Sequence, residues 1–220
     1  MLGSRRVLLH CGVAAALLYF GMDLLAASRY NGYSYADQTI SELSAVGAPT
    51  RSLWLPLGFL YSILTIACGF GIWASAAQNR ALRFVAVFVG GIGVLGVVGW
   101  PFAPMHQREV LAAGGGTLSD TMHLVLAGGS TLLFILSIAV GAKAAGKRFS
   151  VYSVVTILVV LTFGAFTGMD ASQISHNEPT PWVGITERIA VFGSMFWIAV
   201  LAVTLSRAQA PLRQATEGQS

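Results

Sequence analysis

Six runs of apolar residues alternate with short polar segments along the chain, at about 7–27, 53–77, 82–103, 121–142, 149–169 and 185–206. Each run approaches the ~20 residues of helix that cross a hydrocarbon core of about 30 Å. Inside lipid a backbone must satisfy its own hydrogen bonds, which leaves helices or a closed barrel. Barrel strands would alternate apolar and polar at every second position, and these runs do not. The expected fold is all-α: a polytopic membrane bundle of six transmembrane helices over residues 1–206. A polar tail, 207–220, follows and is expected to be disordered.

Composition agrees with this pattern. Of 220 residues, 55% are hydrophobic and 10% charged, where a soluble domain carries about 25% charge. The net charge of +4 does not point to nucleic acid, because the basic residues form short clusters between apolar runs and no continuous patch. Cys11 and Cys68 both lie inside apolar runs and neither belongs to a CxxC pair, so they read as small buried hydrophobes. Ser4-Arg5-Arg6 loosely resembles a twin-arginine export signal. Five further spans follow, so the arginines read instead as a cytoplasmic anchor for an uncleaved first helix.

Orientation follows from lysine and arginine. With the N-terminus inside, nine of them (Arg5, Arg6, Arg80, Arg83, Lys143, Lys147, Arg148, Arg207, Arg213) are cytoplasmic and four (Arg29, Arg51, Arg108, Arg188) are outside. Both termini are therefore expected in the cytoplasm of a cell that holds the protein in its inner (plasma) membrane. Eight of nine acidic residues fall on the outer side, Glu217 being the exception. Acids contribute little to topology, so their gathering hints at a chemical task there. Gly90, Gly93, Gly96 and Gly99 in the third span, and Gly164 and Gly168 in the fifth, read as sites of close helix approach.

The outer segments, about 28–52, 104–120 and 170–184, carry the candidate chemistry. Thr39 and Glu42 have capping-box spacing, and Gly47 with Pro49 ends what they start. A short interfacial helix is expected there, with Ile40, Leu43 and Val46 on one side and Tyr30, Tyr33 and Tyr35 at the membrane interface. Ser41 and Glu42 are either capping residues or the mouth of a site.

Asn31-Gly32-Tyr33-Ser34, Gln38-Thr39-Ile40-Ser41-Glu42-Leu43-Ser44-Ala45 and Gly47-Ala48-Pro49-Thr50-Arg51 resemble the hallmark of a bacterial and archaeal membrane family catalogued as domain of unknown function 998. Met105-His106-Gln107-Arg108-Glu109, Ser119-Asp120-Thr121-Met122-His123 and Pro179-Thr180-Pro181-Trp182 with Glu187-Arg188-Ile189 resemble one branch of it. Asn31 stands where the family usually has proline. The resemblance covers nearly the whole chain and implies six spans in a prokaryotic membrane. It implies no activity.

Asp120 and His123 are three apart and share a helix face. An acid beside a histidine orients the ring and raises its basicity, as a general base or a metal ligand needs. Asp120 also suits a helix N-terminus without any chemistry. Asp23 lies ~24 Å along the first helix at 1.5 Å per residue. An ionisable group at that depth needs a partner, and Arg188, His123 and Arg51 are the candidates. Glu187 and Arg188 are adjacent on a helix, point about 100° apart and need not pair with each other.

Two classes of function follow. In the first, an enzyme uses Asp120, His123, Ser41, Glu42 and Asp23 as catalytic residues. His106, His123, His176, Asp120 and Asp170 would then hold a divalent ion such as zinc, and Arg188, Glu187 and Arg108 would support the site. Its substrate would be a lipid or lipid-linked molecule that enters from the bilayer, and the reaction hydrolysis. In the second, a non-enzymatic protein binds a ligand, transports it, senses protons or serves assembly.

Overall fold

Each apolar run folds into a helix long enough to span a bilayer. The structure is a computed structural model and describes residues 2–208. The expected disordered tail lies, from residue 209 on, outside the described residues. The six long helices are α1 (Leu2–Arg29), α2 (Arg51–Ser75), α3 (Arg80–Val98), α5 (Leu118–Gly141), α6 (Gly146–Met169) and α8 (Val183–Arg207). Two one-turn helices, α4 (Arg108–Ala112) and α7 (Ala171–Ser175), lie in the connections at the same end of the bundle. Large apolar side chains such as Leu17, Val125 and Phe196 stand exposed around the barrel of helices, as a protein dissolved in lipid requires.

The spans form a closed ring. α1 packs on α2, α2 on α3, α3 on α5, α5 on α6, α6 on α8, and α8 back on α1. The α2–α3 contact is the most extensive and the α5–α6 seam the sparsest of the six. α8 is the most enclosed, with 56% of its most apolar stretch buried against 22–33% in the others. Trp197 anchors it: fully buried, its indole N–H donates to Ser153 Oγ at 2.8 Å and its ring packs on Phe149. Residue 141 is glycine for this reason, since a Cβ there would stand 2.6 Å from the Trp197 ring.

Lipid removes the hydrophobic drive between helices, so close packing must hold them. The glycines of α3 serve that end. A Cβ at Gly93 would stand 2.7 Å from the Ser62 carbonyl oxygen, and one at Gly69 would stand 2.9 Å from the Gly90 nitrogen. Gly164 and Gly168 correct the expectation drawn from their spacing: nothing lies within 4 Å of a Cβ at either. α6 meets α8 through larger groups instead, Phe149 against Trp197 and Thr167 against Thr186.

The short helix of the first long connection is present as a 3-10 helix, Ile40–Ser44. With three residues per turn, positions i and i+3 share a face, so Ile40 and Leu43 point the same way. They pack inward on Met22, Ala26 and Trp54 rather than toward lipid. The segment is thus a plug over one end of the bundle, which we call the capped end. Gly47, at φ 87°, turns the chain back after Val46 has donated its N–H to the Met105 carbonyl at 2.8 Å.

Gly93→Val should destabilise the protein by ~1–3 kcal/mol through overpacking of α2 on α3. Gly164→Ala should leave it unchanged or slightly more stable. Thermal unfolding of the two variants in one detergent checks the contrast.

Candidate functional site

Two buried arginines hold the plug. Arg188, on the first turns of α8, meets Asp23 of α1 in a two-pronged pair: Nε and Nη2 donate to the two carboxylate oxygens at 3.0 Å each. Both side chains are buried. The remaining N–H groups of Arg188 donate to the carbonyls of Tyr35, Gln38 and Gly184 and to the Tyr33 hydroxyl. The Tyr35 ring covers the guanidinium 3.7 Å away, and its hydroxyl donates to Asp23 at 2.6 Å. Arg108, on α4, grips Glu42 in the same way at 2.6 and 2.9 Å, and also reaches Thr180 Oγ1 at 3.0 Å. Glu42 in turn accepts from the Thr39 N–H at 2.7 Å, the glutamate half of the expected capping box. Glu187 accepts from the Ile40 N–H at 2.5 Å. Arg188 and Glu187, adjacent in sequence, therefore serve different partners.

A histidine and a serine meet under the plug. His123, on the second turn of α5, is 7% exposed. Its Nδ1 lies 2.9 Å from the Ala103 carbonyl and its Nε2 lies 3.0 Å from Ser41 Oγ. A carbonyl can only accept, so Nδ1 carries a proton, and in the neutral ring the bare Nε2 then accepts from the serine hydroxyl. Trp100 stands edge-on to the imidazole, ring centres 4.8 Å apart, and limits its rotation. Asp120 does not orient this ring as expected. It sits one turn earlier and takes His106 instead, accepting from its backbone N–H at 2.7 Å and pairing with Nδ1 at 2.9 Å. Asp120 also accepts from the Thr117 N–H at 2.8 Å, so it caps α5 as well. His106 competes successfully because the Val46–Met105 backbone bond delivers it to the start of α5.

The model of the family described as "Protein of unknown function (DUF998)" matches residues 13–204. The chain belongs to that family. No curated protein and no solved structure matches it.

The expected zinc-like site does not fit. Among the described residues no group of three or more His, Cys, Asp or Glu is placed to hold a metal ion. His123 has both nitrogens engaged, and His106 has Nδ1 on Asp120. His176, exposed after α7, turns Nδ1 onto the Ser172 carbonyl at 2.8 Å. Asp170 is the cap residue between α6 and α7 and belongs to no such group among the described residues. The remaining candidates do gather under and around the plug: Asp23 with Arg188, Glu42 with Arg108, His123 with Ser41, Asp120 with His106, and Glu187 beneath Ile40. Sequence reasoning missed the parts that orient them. Tyr33 and Tyr35 read as interface anchors, Thr180 as loop, and the Ala103 carbonyl carries no side-chain signal at all.

Groups of the plug outside the spans have shifted protonation. The Ser34 hydroxyl, 2.7 Å from Asp37, and the Trp182 N–H lower the Asp37 pKa below its ordinary value. Burial and the hydrogen bond to Asp23 push the Tyr35 phenol up to about 12. A raised phenol stabilises the fold fully below its unfolded pKa of ~10 and loses that contribution as pH rises toward 12. Spectrophotometric titration of wild type minus Tyr35→Phe should show one phenol ionising at about 12. A missing phenol that titrates near 10 would mean that the Tyr35–Asp23 bond is not kept in solution.

Proposed function

We propose that this membrane protein is a serine hydrolase or acyltransferase of lipid esters, with Ser41 as nucleophile and His123 as its general base. The observation that carries the reading is the Ser41 Oγ–His123 Nε2 hydrogen bond of 3.0 Å with the opposite nitrogen held by a carbonyl. This is the nucleophile–base–orienter arrangement of serine catalysis, with a backbone carbonyl in the place of the usual carboxylate. Ser41 is only half-buried, so a substrate can approach it.

The chemistry balances without another reactant than water. Ser41 Oγ attacks the ester carbonyl as its proton passes to His123 Nε2. The leaving alcohol takes that proton, and an acyl-serine remains. Water, deprotonated by the same nitrogen, or a second alcohol releases the acyl group. Depth supports a glycerolipid as substrate. His123 lies five residues into α5, roughly 8 Å from its start, where the polar plug meets apolar helix walls. The ester groups of a bilayer lie at that same boundary between head group and hydrocarbon.

The second reading is a non-enzymatic protein whose capped end binds a polar ligand. A cleft of about 500 Å³ favours it, lined by Asp37, Gln38, Arg108, Glu109, Thr180 and its flanking prolines. In that reading the Ser41–His123 bond is one more strut of the plug.

Purified protein in lipid nanodiscs should react with a lipid-tailed fluorophosphonate and release fatty acid from phosphatidylglycerol. Ser41→Ala should abolish labelling, and His123→Ala should slow it by roughly 10²–10⁴-fold, with unfolding temperatures measured beside them. Wild-type labelling that persists in Ser41→Ala would remove the nucleophile and leave the binding reading.

We further propose that the capped end faces away from the cytoplasm, with the N-terminus inside the cell in the plasma membrane. The lysine and arginine excess at the other end supports this. Reporters inserted after Arg80 and Lys147 should read as cytoplasmic and one at Gly115 as external. A cytoplasmic reading at Gly115 would invert the topology.

A further inference from the structure

The ionic cluster under the plug has an odd charge. Three carboxylates, Asp23, Glu42 and Glu187, converge on it with two guanidiniums, Arg188 and Arg108. Asp23 takes Arg188 in a two-pronged pair and Glu42 takes Arg108 likewise. Glu187 is left with the Ile40 N–H. Its charged and titratable neighbours come from each surrounding element: Tyr19 and Asp23 of α1, Tyr33 of the plug, Glu42 of the 3-10 helix and Arg188 of α8. Arg188 is next to it in sequence but is spent on six other acceptors. One negative charge in this cluster, on the half-buried Glu187, is therefore unbalanced, in a place where a single excess charge is costly.

A proton is the cation that fits. The donor atoms around Glu187 do not form a metal site, and no lysine or third arginine pairs with it among the described residues. The position of the bond gives the proton a consequence. Glu187 is on α8, Ile40 is the first residue of the 3-10 helix, and Ser41 follows it directly. The Glu187–Ile40 bond thus ties the residue preceding the proposed nucleophile to a membrane-spanning helix.

We propose that Glu187 is a proton-binding site, and that the proton it takes loosens the 3-10 helix from α8 and releases Ser41 from His123. The proton comes from bulk water and forms an O–H on the carboxylate. The Ile40 N–H then faces a neutral acceptor instead of a charged one, and a charge-assisted hydrogen bond becomes an ordinary one. The tie to α8 does not depend on Ser41 being a nucleophile. Only its consequence for catalysis rests on that reading.

The test uses the full chain in lipid nanodiscs as wild type, Glu187→Gln, Glu187→Asp and Ser41→Ala. Amide hydrogen exchange of residues 39–44 is divided by the intrinsic rate at each pH, and infrared difference spectra follow protonated carboxyl groups. Wild-type protection at Ile40 should fall about tenfold from neutral to mildly acidic pH, the loss that weakening a charge-assisted hydrogen bond to a neutral one produces. A protonated-carboxyl band should rise over the same range. Glu187→Gln should show low protection at both pH values and lack that band. Glu187→Asp, too short to reach Ile40, should keep a titrating band but show low protection throughout. Ser41→Ala should keep the wild-type response, so a failed nucleophile and a failed Glu187–Ile40 tie are told apart. Flat wild-type protection, or a wild-type response retained in Glu187→Gln, would overturn the proposal.

Discussion

The capped end depends on one buried ion pair, Arg188 with Asp23. A carboxylate fully removed from solvent inside a membrane-spanning helix cannot stand alone. Its partner must come from another helix and arrive with its own hydrogen bonds satisfied. Arg188 meets both demands, because its other N–H groups are taken by the Tyr35 and Gln38 carbonyls and the Tyr33 hydroxyl of the segment that crosses above it, and by the Gly184 carbonyl of its own helix. The pair therefore does more than join α1 to α8. It nails the backbone of residues 35–38 across the gap between them. Removing one partner of such a pair costs ~3–5 kcal/mol, because the other is left buried and charged. Replacing both by apolar groups would cost little in stability but would free the plug.

The geometry of the serine and histidine is a consequence of that fixture. His123 stands on a long helix, but Ser41 stands on a single 3-10 turn that has no stability of its own. The turn is held at its start by Glu187, in its middle by Arg108 through Glu42, and at its end by Thr50, whose hydroxyl donates to the Leu43 carbonyl at 2.7 Å. Arg51 donates to the Ser44 carbonyl as well. Ile40 and Leu43 press the turn onto the bundle from its apolar side. A side chain on a loop acquires the precision of one on a helix when the loop is tied at each end to rigid elements.

The spans were legible in the sequence because lipid imposes one rule on every residue of a run. Twenty apolar side chains and a self-satisfying backbone leave no alternative to a helix. The capping role of Glu42 and the need of Asp23 for a partner were legible for a similar reason, since each follows from a local rule about unsatisfied groups; that Arg188 rather than His123 or Arg51 is the partner was not. The partner of Asp120 was not. Spacing of three residues put His123 on its face, yet the ring that reached it came from His106, fourteen residues away. What decided that was a backbone bond between Val46 and Met105, invisible to any rule about side-chain type. The glycines divide in the same way. Gly93 and Gly164 look alike in sequence, and only the ring order of the helices brings α2 against one and leaves the other open.

A plug built on ion pairs differs from one built on leucine in how it can be undone. Apolar packing responds to no particular ligand, and in lipid it competes with acyl chains of equal polarity. An ionic tie responds to a proton, a counter-charge or a competing hydrogen-bond donor. Buried pairs add little net stability over a well-packed apolar core, and what they offer instead is a defined register that a charge change can release. Here the register matters because half of the proposed catalytic pair rides on the plug and half does not. The same bonds that bring Ser41 to His123 are those whose loss would separate them. A capped end held in this way is suited to a site that must be assembled, rather than to one that merely has to persist.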